Sequence, residues 1–321
     1  MNRRVGSILG VLAVALVATA AWYLVLRPSR ATAPGAVASC QPGDARGEVW
    51  IPAGTYRMGS DGGDGRFAEE MGGPEVQVAG FWIDRTEVTN AQFAAFVAAT
   101  GYVTAAERNV TATGEAVEPG AAVFVAPASV RDLVDISQWW QYVPGANWRH
   151  PKGPGSTIDG LDHHPVVEVA FEDTVAYAIW AGREIPTEAE WEWAARASAA
   201  DENWDEPKAP DGSFRANTWQ GLFPVRNIGD DGHLATAPVG CFPANARGLF
   251  DMVGNVWEWT GDKFAATPTG AVPQHVIKGG SYLCAPNYCA RFRPTARQPA
   301  DADLGTSHIG FRTIRRGPPP A

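Results

Sequence analysis

Glycine and proline, 35 and 25 of them among 321 residues, are scattered along the whole chain, and no long helix survives breakers at that density. A helical bundle and a coiled coil are excluded, and short elements joined by irregular backbone are expected. Hydrophobic residues make up 45% of the chain, enough for the core of one large domain or two small ones, so disorder of the whole chain is excluded too. The 13 Trp, 7 Tyr and 13 Phe point to a loop-rich fold anchored by large rings. A net charge of -9 argues against nucleic acid as a partner, because phosphate binders concentrate Lys and Arg. The acids can instead hold cations.

Val5 to Leu26 carries no charge and, as a helix, would be about 33 Å long, enough to cross a bilayer core. Arg3 and Arg4 precede it and Arg27 follows. A cleavable signal is the rival reading, since Ala18-Thr19-Ala20 has the small-x-small form, but the apolar run continues through Trp22, Tyr23 and Leu26. The expected organisation is an anchor or signal segment over 1–27, a Pro- and Gly-bearing tether over 28–47, a globular domain over 48–316 and a Pro-rich tail over 317–321. The early arginines place the globular part outside the cytoplasm, membrane-anchored through the N-terminal segment, or exported if that segment is cleaved.

Within the globular part no fixed-period repeat is visible, which removes solenoids and propellers. Val49 to Ile51, Gln77-Val78 and Phe81 to Ile83 read as short strands. Asn90 to Thr100 reads as a helix capped by Thr89 or Asn90 and ended by Gly101. Glu172 to Trp180 reads as a second, closed by Gly182. A third follows Pro186, where Thr187 and Glu190 form a capping box ahead of Trp191 and Ala194. The class is α+β with low regular secondary structure.

Four cysteines stand at 40, 241, 284 and 289, and only Cys284 and Cys289 lie close together. Outside the cytoplasm such a pair is most often a disulfide. Two thiolates on a Pro-containing loop would, however, also suit a soft metal such as Cu(I). Spacing alone leaves both readings open.

The surrounding sequence is more specific. The run Lys278-Gly279-Gly280-Ser281-Tyr282-Leu283-Cys284-Ala285-Pro286-Asn287-Tyr288-Cys289-Ala290-Arg291-Phe292-Arg293, with Arg297 and Ser307-His308-Ile309-Gly310-Phe311-Arg312, closely resembles the catalytic end of formylglycine-generating enzymes, the sulfatase-modifying factors. Pro186 to Glu192, Asn217-Thr218-Trp219-Gln220-Gly221, Gly254 to Trp259, Asn147 to Pro151 and Ile51 to Gly54 agree, so the resemblance covers about 48 to 316. It implies a C-type-lectin-like fold and oxidation of a cysteine in a sulfatase-type Cys-x-Pro-x-Arg segment to Cα-formylglycine, with O2 as co-substrate and Cu(I) as cofactor. The partner implied is a sulfatase-like protein in extended form, met by a monomer. Iron enzymes of the ergothioneine type on this fold need a H-x3-H-x-E cluster, and the six histidines contain none.

The resemblance also assigns residues. Cys284 and Cys289 bind Cu(I) as thiolates, the substrate cysteine joins them, its Cβ loses a hydrogen, and the resulting thioaldehyde is hydrolysed. Ser281 and Tyr288 complete the catalytic group, although Ser281 could equally cap a turn after Gly279-Gly280. Trp257, Arg297, Ser307 and His308 are the substrate-binding set, against the plainer readings of Trp257 as core and His308 as surface. Structural Ca2+ is implied at two sites. Asn217, Thr218, Asp231 and His233 supply the first, and Asp251, Gly254, Val256 and Glu258 the second, some through side chains and some through main-chain oxygens. Two other functions compete with the oxidase: a non-catalytic, calcium-stabilised lectin-like binding module, and an oxidase of another thiol. Cys40 and Cys241 have no family role, and Asn109-Val110-Thr111 is a glycosylation sequon only in a source that glycosylates exported proteins.

Overall fold

The computed structural model describes residues 46–60, 67–108, 110–112, 115–197 and 207–319. The expected anchor, the tether up to residue 45, Cys40 and Asn109 lie outside these residues. No helix among the described residues is long and apolar enough to cross a membrane.

Strands β1 (Glu48–Ile51) and β4 (Phe81–Asp84) pair antiparallel, with Trp50 opposite Trp82 and the two rings edge to face at 5.6 Å. Between them β2 (Gly54–Arg57) and β3 (Glu75–Val78) form a two-stranded ribbon. Alternation decides the faces: Phe81 and Ile83 are fully buried while Trp82 and Asp84 are half-buried. Helix α1 (Asn90–Thr100) is capped by Thr89, whose hydroxyl accepts from Gln92 N–H, because the Asn90 amide is already donating to Leu161 O at 2.9 Å. Gly101, at φ 68°, ends it as expected.

Two further ribbons follow, β5 (Val110–Ala112) with β6 (Glu115–Val117) and β7 (Gly120–Phe124) with β8 (Trp140–Pro144). Helix α2 (Phe171–Trp180) begins one residue before the expected Glu172, since the Asp173 carboxylate accepts from Ala170 N–H at 2.8 Å and closes the first turn there. Helix α3 (Glu188–Ala195) has the expected Thr187–Glu190 capping box. The short ribbon β9 (Gly221–Leu222) and β10 (Arg226–Asn227) precedes the main sheet.

That sheet contains β11 (Trp257–Lys263), β12 (Gln274–Lys278), β13 (Arg297–Asp301) and β14 (Ile309–Gly310) in the order β13-β12-β11-β14, with β14 parallel to β11. The last strand, β15 (Ile314–Arg315), returns to β4 and ties the C-terminal end of the domain to its beginning. The architecture is the expected α+β class with short elements.

Aromatic rings fill the core. Phe93, Phe96, Tyr177, Trp257, Trp259 and Phe311 form one cluster that also contains both Cys284 and Cys289, and a second cluster around Trp139, Trp219 and Phe223 abuts it through Tyr288. Buried ion pairs fasten the sheet to its surroundings. Lys278 at the end of β12 donates to Glu192 on α3 at 2.9 Å, and Arg312 holds both carboxylate oxygens of Glu258 on β11 at 2.7 Å.

Candidate functional site

The cysteine loop starts where β12 ends. Gly279 and Gly280 stand at φ 96° and 79°, and a Cβ on Gly280 would lie 2.7 Å from Arg291 O, so only glycine lets the chain double back there. Ser281 follows as a turn cap: its hydroxyl accepts from Leu283 N–H at 3.2 Å and its carbonyl from Cys284 N–H at 2.9 Å. Trp219 N–H donates to Cys284 O at 2.9 Å and fixes the loop from the outside.

Both cysteines are free and buried, and their sulfurs are 2.9 Å apart. A disulfide bond measures about 2.05 Å, so the pair is a dithiol and the disulfide reading of its spacing does not apply. Burial and the neighbouring sulfur push the Cys284 thiol well up, whereas the hydrogen bond from Cys284 and the nearby Arg291 guanidinium pull Cys289 down. The two thiols therefore differ in direction, Cys284 held toward its neutral form and Cys289 toward the thiolate. Arg291, whose role the motif alone did not disclose, is held by Glu69 and lies 3.6 Å from the Phe67 ring centroid. Cys241 is disulfide-bonded.

Around the sulfurs, Tyr288 stacks on Phe223 at 4.6 Å and meets the edge of Trp139 at 5.5 Å. Trp257 is buried in the same cluster as the cysteines. His308 packs 4.7 Å from Trp140, with Nδ1 2.9 Å from the Thr306 hydroxyl, and loss of solvent pushes its pKa down to about 3, so its ring is neutral. The Ser307 hydroxyl accepts from Phe124 N–H at 3.0 Å, and its carbonyl accepts from Tyr282 O–H at 3.1 Å. Arg297 gives its fork to Glu188 at 2.7 and 2.9 Å. Tyr288 and Trp257 are thus brought to the cysteines, while Arg297 and Ser307 spend their polar groups on the chain itself.

The first expected calcium set converges. Asp231 Oδ2 accepts from Thr218 N–H at 3.2 Å and from Gln220 Nε2 at 2.8 Å, and the same Gln220 nitrogen donates to Thr218 O. Asp231 Oδ1 accepts from His233 N–H at 2.9 Å. Asn217 spends its amide N–H groups on Ala235 O and Asn255 Oδ1, which leaves Asn217 Oδ1 buried without a donor among the described residues. An orphaned oxygen, one residue before the Thr218 whose N–H meets the Asp231 carboxylate, is the kind of donor that a hard cation takes.

The second set is differently committed. Both Glu258 oxygens accept from Arg312, and one also from Trp191 Nε1 at 2.8 Å. Asp251, at φ 55°, accepts from Gly240 N–H at 2.6 Å. Gly254, at φ 81°, packs so tightly on Asn217 that a Cβ would lie 2.4 Å from its carbonyl oxygen, and the adjoining Val256 is buried. A third carboxylate that sequence reasoning missed, Glu87, joins them with Oε2 unpartnered among the described residues. Burial first, then the neighbouring acids, push Glu87 well up, and burial raises Asp251 to about 6. Three carboxylates against one guanidinium leave negative charge that a proton or a cation must balance. Among the described residues no group of three or more His, Cys, Asp or Glu side chains is disposed to hold a metal by itself.

Glu168 is the other residue without a sequence signal. It stands fully buried at φ 59° with both oxygens unpartnered among the described residues, and burial pushes its pKa well up.

Residues 34–317 match the sulfatase-modifying factor enzyme 1-like domain. The chain is 48% identical over 292 residues to the formylglycine-generating enzyme of Mycobacterium tuberculosis, a match covering 83% of this chain and 96% of that protein. It is also 39% identical over 273 residues to a mouse protein named inactive C-alpha-formylglycine-generating enzyme 2, covering 82% and 84%. Among solved structures, PvdO from Pseudomonas aeruginosa aligns with a TM-score of 0.54 at 27% identity, covering 84% of this chain and 94% of that one.

Proposed function

The chain belongs to the sulfatase-modifying factor family, and from that premise we propose that it oxidises the cysteine of sulfatase-type Cys-x-Pro-x-Arg segments to Cα-formylglycine, with Cu(I) as cofactor and O2 as oxidant. Family membership does not carry this reading, because a relative named inactive is 39% identical. The free Cys284–Cys289 pair, buried with its sulfurs 2.9 Å apart, carries it.

Two soft sulfur donors in an apolar wall suit Cu(I) and disfavour hard cations. When bound, copper supplies the one-electron chemistry that O2 activation needs. The chain does the rest. Cys284 and Cys289 would hold the metal as thiolates, so binding would displace any thiol proton they carry. The rings of Tyr288, Phe223 and Trp139 exclude water from that place and form a wall for an extended peptide. Ser281 acts first as the turn cap that aims Cys284. Conversion of a thiol to an aldehyde and sulfide releases two electrons, so reduction of O2 to water draws two more from an external thiol. The test is mass spectrometry of a Cys-x-Pro-x-Arg peptide after incubation with the copper-loaded protein, O2 and a thiol. An unmodified peptide would count against the reading.

Ca2+ belongs to the fold in this proposal. Asn217 Oδ1, Asp231 and the carbonyls of Thr218 and His233 would hold one ion. Asp231→Ala is expected to lower the melting temperature and to abolish its rise on going from chelator to Ca2+ in scanning fluorimetry. An unchanged calcium response in that variant would remove the assignment. Glu258→Ala is a poorer test, because it also strips Arg312 of its carboxylate.

We place the domain outside the cytoplasm, tethered through Val5 to Leu26. Protease added to spheroplasts should digest it, and full protection while a known exported protein is degraded would contradict this placement.

A further inference from the structure

Beside the cysteine loop lies an open groove of about 460 Å³, floored by Phe214, Trp219, Leu222 and Pro286. Its size falls within the range of ligand clefts. The groove borders the cysteine loop: Pro286 and Asn287 belong to the segment between the cysteines, Trp219 N–H holds Cys284 O, and the Asn287 amide donates to Phe223 O at 3.3 Å.

Lys208 is the one charged residue on this lining. Its ammonium stands 4.3 Å from the Phe214 ring centroid and makes no ion pair among the described residues. Asp211, on the same turn, is turned to Ser213, accepting from its N–H at 2.9 Å and its hydroxyl at 2.6 Å. Arg226, across the ribbon from Leu222, is likewise exposed and without an ion pair among the described residues. In a chain of net charge -9, where carboxylates outnumber bases, a cation on an apolar groove with no ion pair among the described residues, and a second one across the ribbon from its Leu222 wall, define a local chemistry.

Building on the oxidase reading, we infer that this groove binds the substrate chain flanking the target cysteine and that Lys208 selects an Asp or Glu side chain there. The apolar floor takes the methylenes of such a residue, and the ring under the ammonium keeps the cation in place for its carboxylate. Because Lys208 is exposed, the preference is modest and screened by salt.

The experiment compares Cys-x-Pro-x-Arg peptides that differ only at one flanking position, scanned on both sides and occupied by Glu or Lys. For each position the Glu-to-Lys ratio of kcat/KM is measured with the copper-loaded parent and with Lys208→Glu. A ratio within one protein cancels any loss of fold or of copper. At one position the parent should favour Glu by about fivefold, Lys208→Glu should invert that order, and about 0.5 M salt should flatten both. If both proteins convert the peptides with the same ratio at every position, the inference is wrong while the oxidase reading stands. If the parent converts none of the peptides, the oxidase reading falls and takes the inference with it.

Discussion

Cys284→Ser and Cys289→Ser should each lose Cu(I) binding and formylglycine formation together. Serine puts a hard, un-ionised hydroxyl where a soft thiolate is needed, and the rings and aliphatic side chains packed around the pair supply no soft donor. Altering a group one shell out from a metal typically costs about 10- to 100-fold, and loss of a direct ligand should exceed about 100-fold in aldehyde yield. Stability should change little. The pair is a dithiol, so no cross-link is removed, and a hydroxyl beside the remaining thiol keeps a hydrogen-bond partner at a cost of about 1 kcal/mol. Bound copper, peptide aldehyde and melting temperature are measured on the same preparations. Unchanged aldehyde yield from either variant would overturn the mechanism, and a fully reduced parent that binds no Cu(I) would favour a lectin-like binding module.

Arg312→Met carries the largest expected loss of stability. Arg312 is fully buried, donates to both oxygens of Glu258, and reaches the carbonyls of Asp84, Arg85 and Phe250. Its removal leaves Glu258, Glu87 and Asp251 buried without a guanidinium, and breaking such a pair typically costs about 3 to 5 kcal/mol. Urea unfolding of parent and variant measures it. Pairing the change with Glu258→Leu should recover part of the loss, because the uncompensated charge goes while volume is kept. A single-variant loss below about 1 kcal/mol, or no recovery in the double variant, would show that charge pairing is not what Arg312 contributes.

What the amino-acid order determined by itself was local. Thr187 and Glu190 cap α3 because three residues separate them, Gly101 ends α1 because it tolerates the left-handed region, and Gly279-Gly280 turn the chain for the same reason. Family membership was also legible, since the blocks from Asn147 to Arg312 carry it without reference to any contact. The spacing of Cys284 and Cys289 was visible too, yet the same spacing fits a disulfide or a metal pair. Only the tertiary structure shows both sulfurs free and buried, close to the Arg291 guanidinium. Glu87 was invisible for a related reason: it meets Asn255 across 168 residues of chain, so no local pattern marks it as a partner of Asp251 and Glu258. Arg297 matched a substrate-binding position in the motif, but folding gave its donors to Glu188 on α3. Caps and turns obey rules that act over a few residues. Burial and charge pairing depend on which distant segments the core brings together, and here that was decided by rings packing around a sheet whose strands are not in sequence order.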